Sequence, residues 1–170
     1  MELFETLEKD LSRILELISN CDNKASIILG AVFTVISLVL GLCGRDYIVL
    51  FSNHSGSNCI IFVLLVLAAI VISLGIIEIM RSIQAKIDYT EYNDDSETIF
   101  FGKISLLTLE QYREKVLLRD NSSYIRDLTA QIHTCSVICQ RKYECYNRGL
   151  FNSVLGCVFL IGCSVLAISV

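Results

Sequence analysis

The chain has 170 residues, of which 54% are hydrophobic and 19% charged, below the roughly 25% charged residues of an average soluble domain. With a mean hydropathy of +0.60 and a net charge of -4, this composition excludes an ordinary water-soluble domain and offers no basic surface for nucleic acid. Proline is absent, where average usage of about 5% predicts roughly eight residues, so long uninterrupted helices are expected.

Residues 1–24 form the first predicted element, a cytosolic amphipathic arm. Phe4, Leu7, Leu11, Ile14, Ile18, Cys21, Ala25 and Ile28 recur at alternating spacings of three and four. That is the seam of a coiled coil, running without a break toward the next element. It fits either a helix packing on its own chain or a contact between subunits. Glu2, Glu5, Glu8 and Asp10 argue against a signal peptide, whose start carries positive charge. Asp22-Asn23-Lys24 stand just before the first apolar stretch. Either Lys24 reaches for lipid headgroups while Asp22 caps a helix, or the pair meets another helix or a ligand at the membrane face.

Ala25 to Gly44 carries no charge and matches the roughly 20 residues that cross a hydrocarbon core, so 25–44 is the first predicted span. Residues 45–58 are expected to form a loop on the outer side, and 59–77 the second span. The segment 78–148 is predicted to be a small, mostly helical cytosolic unit. In it the second span continues as helix to about Ile87, the acidic stretch TEYNDDSE makes a loop, and TIFFGKI (98–104) is a candidate short strand or apolar plug. Thr108 with Gln111 has the spacing of a capping box opening a helix. After a turn at 120–123 a second helix runs into the third span, 149–170, with Ile125, Leu128, Ile132, Cys135 and Cys139 on one face. Gly149, Gly156 and Gly162 in that span suit close helix packing in an oligomer. The expected fold is therefore an all-α integral membrane protein with three transmembrane helices.

Lys and Arg set the orientation. The arm holds Lys9, Arg13 and Lys24, the 45–58 loop only Arg45, and the 78–148 segment ten more, including Arg81, Lys86, Lys103 and Arg148. The N-terminus is thus expected on the cytosolic side and the C-terminus on the outer face. Cys135, Cys139 and Cys145 then face a reducing space, while Cys43 and Cys59 flank the outer loop, where a bridge is an open alternative.

Tyr112, Arg113, Lys115, Arg119, Tyr124 and Arg126 gather around the predicted helix-turn-helix. Basic groups beside aromatics suit a phosphate and a stacked base, though interleaved Glu110, Glu114, Asp120 and Asp127 also fit a plain solvated face. Arg141, Lys142 and Arg148, next to the third span, suit lipid headgroups. His133, Cys135, Cys139 and Cys145 have no paired-ligand spacing, so no metal or other cofactor is expected. No catalytic constellation stands out, and the chain is not expected to be an enzyme.

The stretch CDNKASIILG resembles the D-x-K-A-S signature of the transmembrane effectors of bacterial Pycsar antiphage defence. The later stretch FFGKISLLTLEQYREKVLLRDNSSYIRDLTAQIHTCSVICQRKYECYN is similar to the same family, down to a Lys-Tyr pair, here Lys142 and Tyr143. The resemblance implies a juxtamembrane motif of Asp22, Lys24, Lys142 and Tyr143. It implies that a partner pyrimidine cyclase makes cyclic CMP or cyclic UMP on infection, and that the effector senses it and impairs the inner membrane, causing abortive infection. The implied partners are the lipid bilayer, the cyclic pyrimidine nucleotide, the cyclase and further copies in a homo-oligomer. The alternatives are a holin-like or toxin protein that permeabilises membranes without a ligand, and a structural membrane subunit.

Overall fold

The computed structural model describes residues 2–52, 56–84 and 104–169, and among them there is no strand. The helices are α1 (Glu2–Ser52), α2 (Gly56–Ile83), α3 (Leu109–Leu117) and α4 (Asn121–Ser169). Helices α1, α2 and α4 are long and apolar enough to cross a membrane, and the protein is an all-α membrane protein. The candidate strand over 98–104 lies, but for Ile104, outside the described residues, as does the acidic stretch before it. The continuation of α2 to Ile87 falls outside them beyond Gln84.

The apolar run of the first span stops at Gly44, but α1 continues through Arg45 and Asp46 to Ser52. Charge ends a span because lipid rejects it; it does not end a helix, whose backbone bonds need only the absence of breakers. The expected loop at 45–58 is thus helical on both flanks, with α2 opening at Gly56. All eight cysteines, Cys43 and Cys59 included, are free thiols.

The chain divides into two compact units, Met1–Asn20 with Ala85–Arg141, and Cys21–Gln84 with Lys142–Val170. The second is the membrane-spanning bundle of α1, α2 and the latter part of α4. Its core is Val32, Val39, Ala68, Ile72 and Leu160, with Ile28, Val35, Ile36, Leu65 and Ile76 packed against it. Large side chains such as Ile27, Leu42, Ile60, Val158 and Val165 point outward, where Cys21, Ala25 and Ala68 are buried. Lipid is as apolar as leucine, so close approach is what rewards a helix contact, and small buried residues such as Cys21, Ala25 and Ala68 allow it beside the branched core.

A close approach joins α2 to α4. A side chain on Gly75 would meet the backbone nitrogen of Ser153 at 2.7 Å, and one on Gly149 would meet the backbone nitrogen of Ile79 at 2.8 Å. Gly149 and Gly156 are therefore used within the chain, Gly156 against Ile72, whereas Gly162 faces open space. Toward the far end the Tyr47 hydroxyl donates to Ser164 Oγ at 2.5 Å, and Ser164 donates to the Leu160 carbonyl at 2.6 Å. The Tyr47 and Ser164 hydroxyls are thus both partnered, as a lipid-embedded helix favours.

In the first unit, α3 opens on the capping box expected from its sequence. The Gln111 N–H donates to Thr108 Oγ1 at 3.3 Å, and the Thr108 N–H donates to Gln111 Oε1 at 2.9 Å. No residue of α3 is buried, so its caps carry much of its stability. Thr108→Ala should cost about 1 kcal/mol locally. Hydrogen exchange should then quicken about fivefold at the first-turn amides of α3, and unchanged exchange at Gln111 would refute the assignment.

Candidate functional site

Two clusters of polar side chains stand out, one in each unit. In the first unit Asp120 opens α4. Its carboxylate accepts the Ser123 N–H at 3.0 Å and the Ser122 hydroxyl at 2.6 Å, and these bonds hold the Asp120 carboxyl far below the usual carboxylate range. The turn this creates sets Arg119 against the first turns of α4. Its guanidinium lies 4.2 Å from the centroid of the Tyr124 ring, and its Nη2 donates to Asp127 Oδ2 at 3.1 Å. Asp127 is buried, so the ion pair is shielded from solvent.

The other face of the Tyr124 ring stacks on Phe4 at 4.6 Å, and its hydroxyl donates to Glu8 Oε1 at 3.3 Å. Burial pushes the Tyr124 phenol up, and the Glu8 charge adds to this while Arg119 opposes it. The phenol therefore stays protonated and keeps donating. Phe4, the first seam residue, thus packs on its own chain.

Of the six residues singled out around the helix-turn-helix, Arg119 and Tyr124 are brought together. Arg113 and Arg126 are exposed, while Tyr112 and Lys115 are half-buried. The sequence reading missed Phe4, Glu8 and Asp127 as partners in this cluster. Nothing local in the sequence distinguishes a buried aspartate such as Asp127 from an exposed one on an amphipathic helix. His133 is exposed, burial pushes the Cys135 thiol up, and no group of metal-ligating side chains forms among the described residues.

The second cluster lies at one end of the spanning bundle. Lys142 Nζ donates to Asp22 Oδ1 at 2.5 Å and to the Ile83 carbonyl at 3.3 Å. The Lys142 side chain is only 6% exposed, so it does not reach for headgroups as its position beside the third span suggested. Ile83 ends α2, where the last carbonyls lack helical partners, and the ammonium supplies one along with a charge that suits the helix dipole. Ser82 is fully buried. Its hydroxyl donates to the Lys142 carbonyl at 3.0 Å and accepts from the Cys21 thiol, 3.6 Å away.

This polar knot therefore ties α1 through Cys21 and Asp22, α2 through Ser82 and Ile83, and α4 through Lys142. Sequence reading singled out Asp22 and Lys142 but not their pairing, because they are 120 positions apart. Ser82 carried no local signal. Lys24 is exposed, and Tyr143 is half-buried with its ring edge-on to Tyr146 at 6.4 Å.

A family model for the Pycsar effector protein domain matches residues 6–169. The chain is 26% identical over 169 residues to the Pycsar effector protein GmPycTM of Gulbenkiania mobilis, covering 88% of this chain and 85% of that protein. No solved structure matches it. The match takes in all three spanning helices, the turn at Asp120 and both halves of the Asp22–Lys142 pair, and the chain belongs to the Pycsar effector protein family.

Proposed function

We propose that this protein is the membrane effector of an antiphage defence system, triggered by a cyclic pyrimidine mononucleotide and acting by impairing the inner membrane of the infected cell. The observation that carries the reading is the family match, which runs through the spans and the polar unit alike. The trigger would come from a partner pyrimidine cyclase, as cyclic CMP or cyclic UMP, and the active form would be a homo-oligomer in the bilayer. The Lys and Arg distribution supports a cytosolic N-terminus and a periplasmic C-terminus.

The nucleotide would be held by Tyr112, Arg113, Lys115, Arg119, Tyr124 and Arg126. Arg113 and Arg126 are exposed and fit phosphate contact. Arg119, committed to Asp127 and Tyr124, fits a role in shaping the cluster. Because α4 runs unbroken from Asn121 to Ser169, a ligand that favours one arrangement of its first turns would bias the rest of the helix. The bias cannot exceed the ligand's difference in affinity for the two arrangements.

Purified protein in detergent should bind cyclic CMP or cyclic UMP by calorimetry. Arg113→Ala and Arg126→Ala should each weaken binding by about 10-fold or more, the loss of one charge-assisted hydrogen bond. No measurable heat with any cyclic nucleotide would end the sensor reading. Expression without a cyclase separates the holin-like alternative: a ligand-independent permeabiliser kills its host when expressed alone, and a gated effector does not.

A further inference from the structure

We infer that the knot of Asp22, Ser82 and Lys142 is a latch that holds the spanning bundle in its resting arrangement, so that loosening it opens the membrane lesion without any ligand; this rests on the reading of the chain as a membrane-impairing effector. Three observations converge on it.

The first is position along the chain. The chain passes between the two units at three places, after Asn20, after Gln84 and after Arg141. The knot has a residue within two positions of each: Cys21 and Asp22 at the first, Ser82 and Ile83 at the second, Lys142 at the third. Any change carried along the chain into the spanning bundle therefore arrives at a member of the knot.

The second is the state of the bundle that the knot accompanies. Helices α2 and α4 approach so closely at Gly75, Gly149 and Gly156 that a single added methyl would strike backbone atoms. Val32, Val39, Ala68, Ile72 and Leu160 fill the space between α1, α2 and α4. A filled, closely packed interior is the arrangement expected of a resting effector.

The third is the chemistry of the tie. A shielded ion pair nearly breaks even against solvation and can exchange its partner for water or another charge. The Asp22 side chain is 35% exposed, so the pair has one face from which such an exchange can start. Lys142 carries three ties at once, through its ammonium to Asp22 and Ile83 and through its carbonyl to Ser82. Its withdrawal would remove these three ties between α4 and the other two helices in one step.

The test uses the full chain reconstituted into dye-loaded vesicles of mixed zwitterionic and anionic lipid. Lys142→Met keeps the stem and removes the charge, and should release dye at least ~10-fold faster than wild type with no nucleotide present. Ser82→Ala, which removes one hydroxyl and leaves the ion pair, should leak at an intermediate rate. Lys142→Arg, which retains the charge, should stay as tight as wild type. If Lys142→Met and Ser82→Ala reach the vesicles at wild-type density and both remain sealed, the latch is wrong. If neither can be reconstituted while Lys142→Arg can, the knot is an assembly element and the latch is equally overturned. Wild-type vesicles that ignore cyclic CMP and cyclic UMP while Lys142→Met vesicles leak would overturn the nucleotide trigger and keep the latch. The reverse pattern would keep the trigger and remove the latch.

Discussion

Gly75→Ala and Gly149→Ala should each lower the stability of the spanning bundle by about 2–3 kcal/mol, although alanine is the better helix former by about 1 kcal/mol. The sign turns on what the new methyl meets. At Gly75 it falls on Ser153 Oγ, 2.7 Å from the Ser153 backbone nitrogen and 3.1 Å from the Gly149 carbonyl oxygen. At Gly149 it falls 2.8 Å from the Ile79 backbone nitrogen and 3.0 Å from the Gly75 carbonyl oxygen. A side chain could rotate away, but backbone atoms of the facing helix move only if the helices part. Separation then removes the close packing that substitutes, in lipid, for a hydrophobic driving force. The control is internal to the same fold. Gly30 and Gly41 meet nothing within 4 Å, so Gly30→Ala and Gly41→Ala should be neutral or stabilising by up to about 1 kcal/mol. Apparent melting temperatures of the four variants in one detergent should split into two depressed and two unchanged or raised. Four equal values would show that α2 and α4 do not approach this closely.

How far the sequence foretold this arrangement differs from one feature to the next, for physical reasons. Spans are legible because a hydrocarbon solvent imposes a length and bans charge, and both can be counted along one strand of text. The capping box at Thr108 is legible because donor and acceptor lie three residues apart. The seam from Phe4 to Ile28 is legible as a buried stripe, but its partner is not: the periodicity that marks the face says nothing of whether the chain itself or a second copy covers it. At one end Phe4 stacks on Tyr124 of its own chain, and in the bundle Cys21 and Ala25 are fully buried.

The same limit explains the glycines of the third span. Gly149 and Gly156 announce a close approach without naming the neighbour, and α2 of the same chain supplies it. Arg45 and Asp46 end the apolar run but not the helix, because hydropathy and helicity have separate causes. In the first cluster, Arg119 and Tyr124 were found by type, yet their partners Glu8, Phe4 and Asp127 could be assigned only once the fold had brought three stretches of chain together.

Breaking the ion pair from its two ends should give unequal costs, and the inequality follows from burial. In Asp22→Asn, Lys142 keeps a charge on a side chain only 6% exposed, with the Ile83 carbonyl as its remaining partner. Leaving one charge of a buried pair uncompensated costs about 3–5 kcal/mol. In Lys142→Met the buried charge is gone, and the orphan is Asp22, 35% exposed and free to turn toward water. That cost should be smaller, about 1–2 kcal/mol, set by the lost hydrogen bond and the uncapped end of α2. The double variant Asp22→Asn with Lys142→Met leaves no charge in the knot. Its stability should therefore lie near that of Lys142→Met, above Asp22→Asn although it carries one more change. A denaturant series on the wild type, both single variants and the double variant measures the coupling directly. If the two single costs are equal and simply add in the double variant, Lys142 and Asp22 do not act as a pair in the bundle.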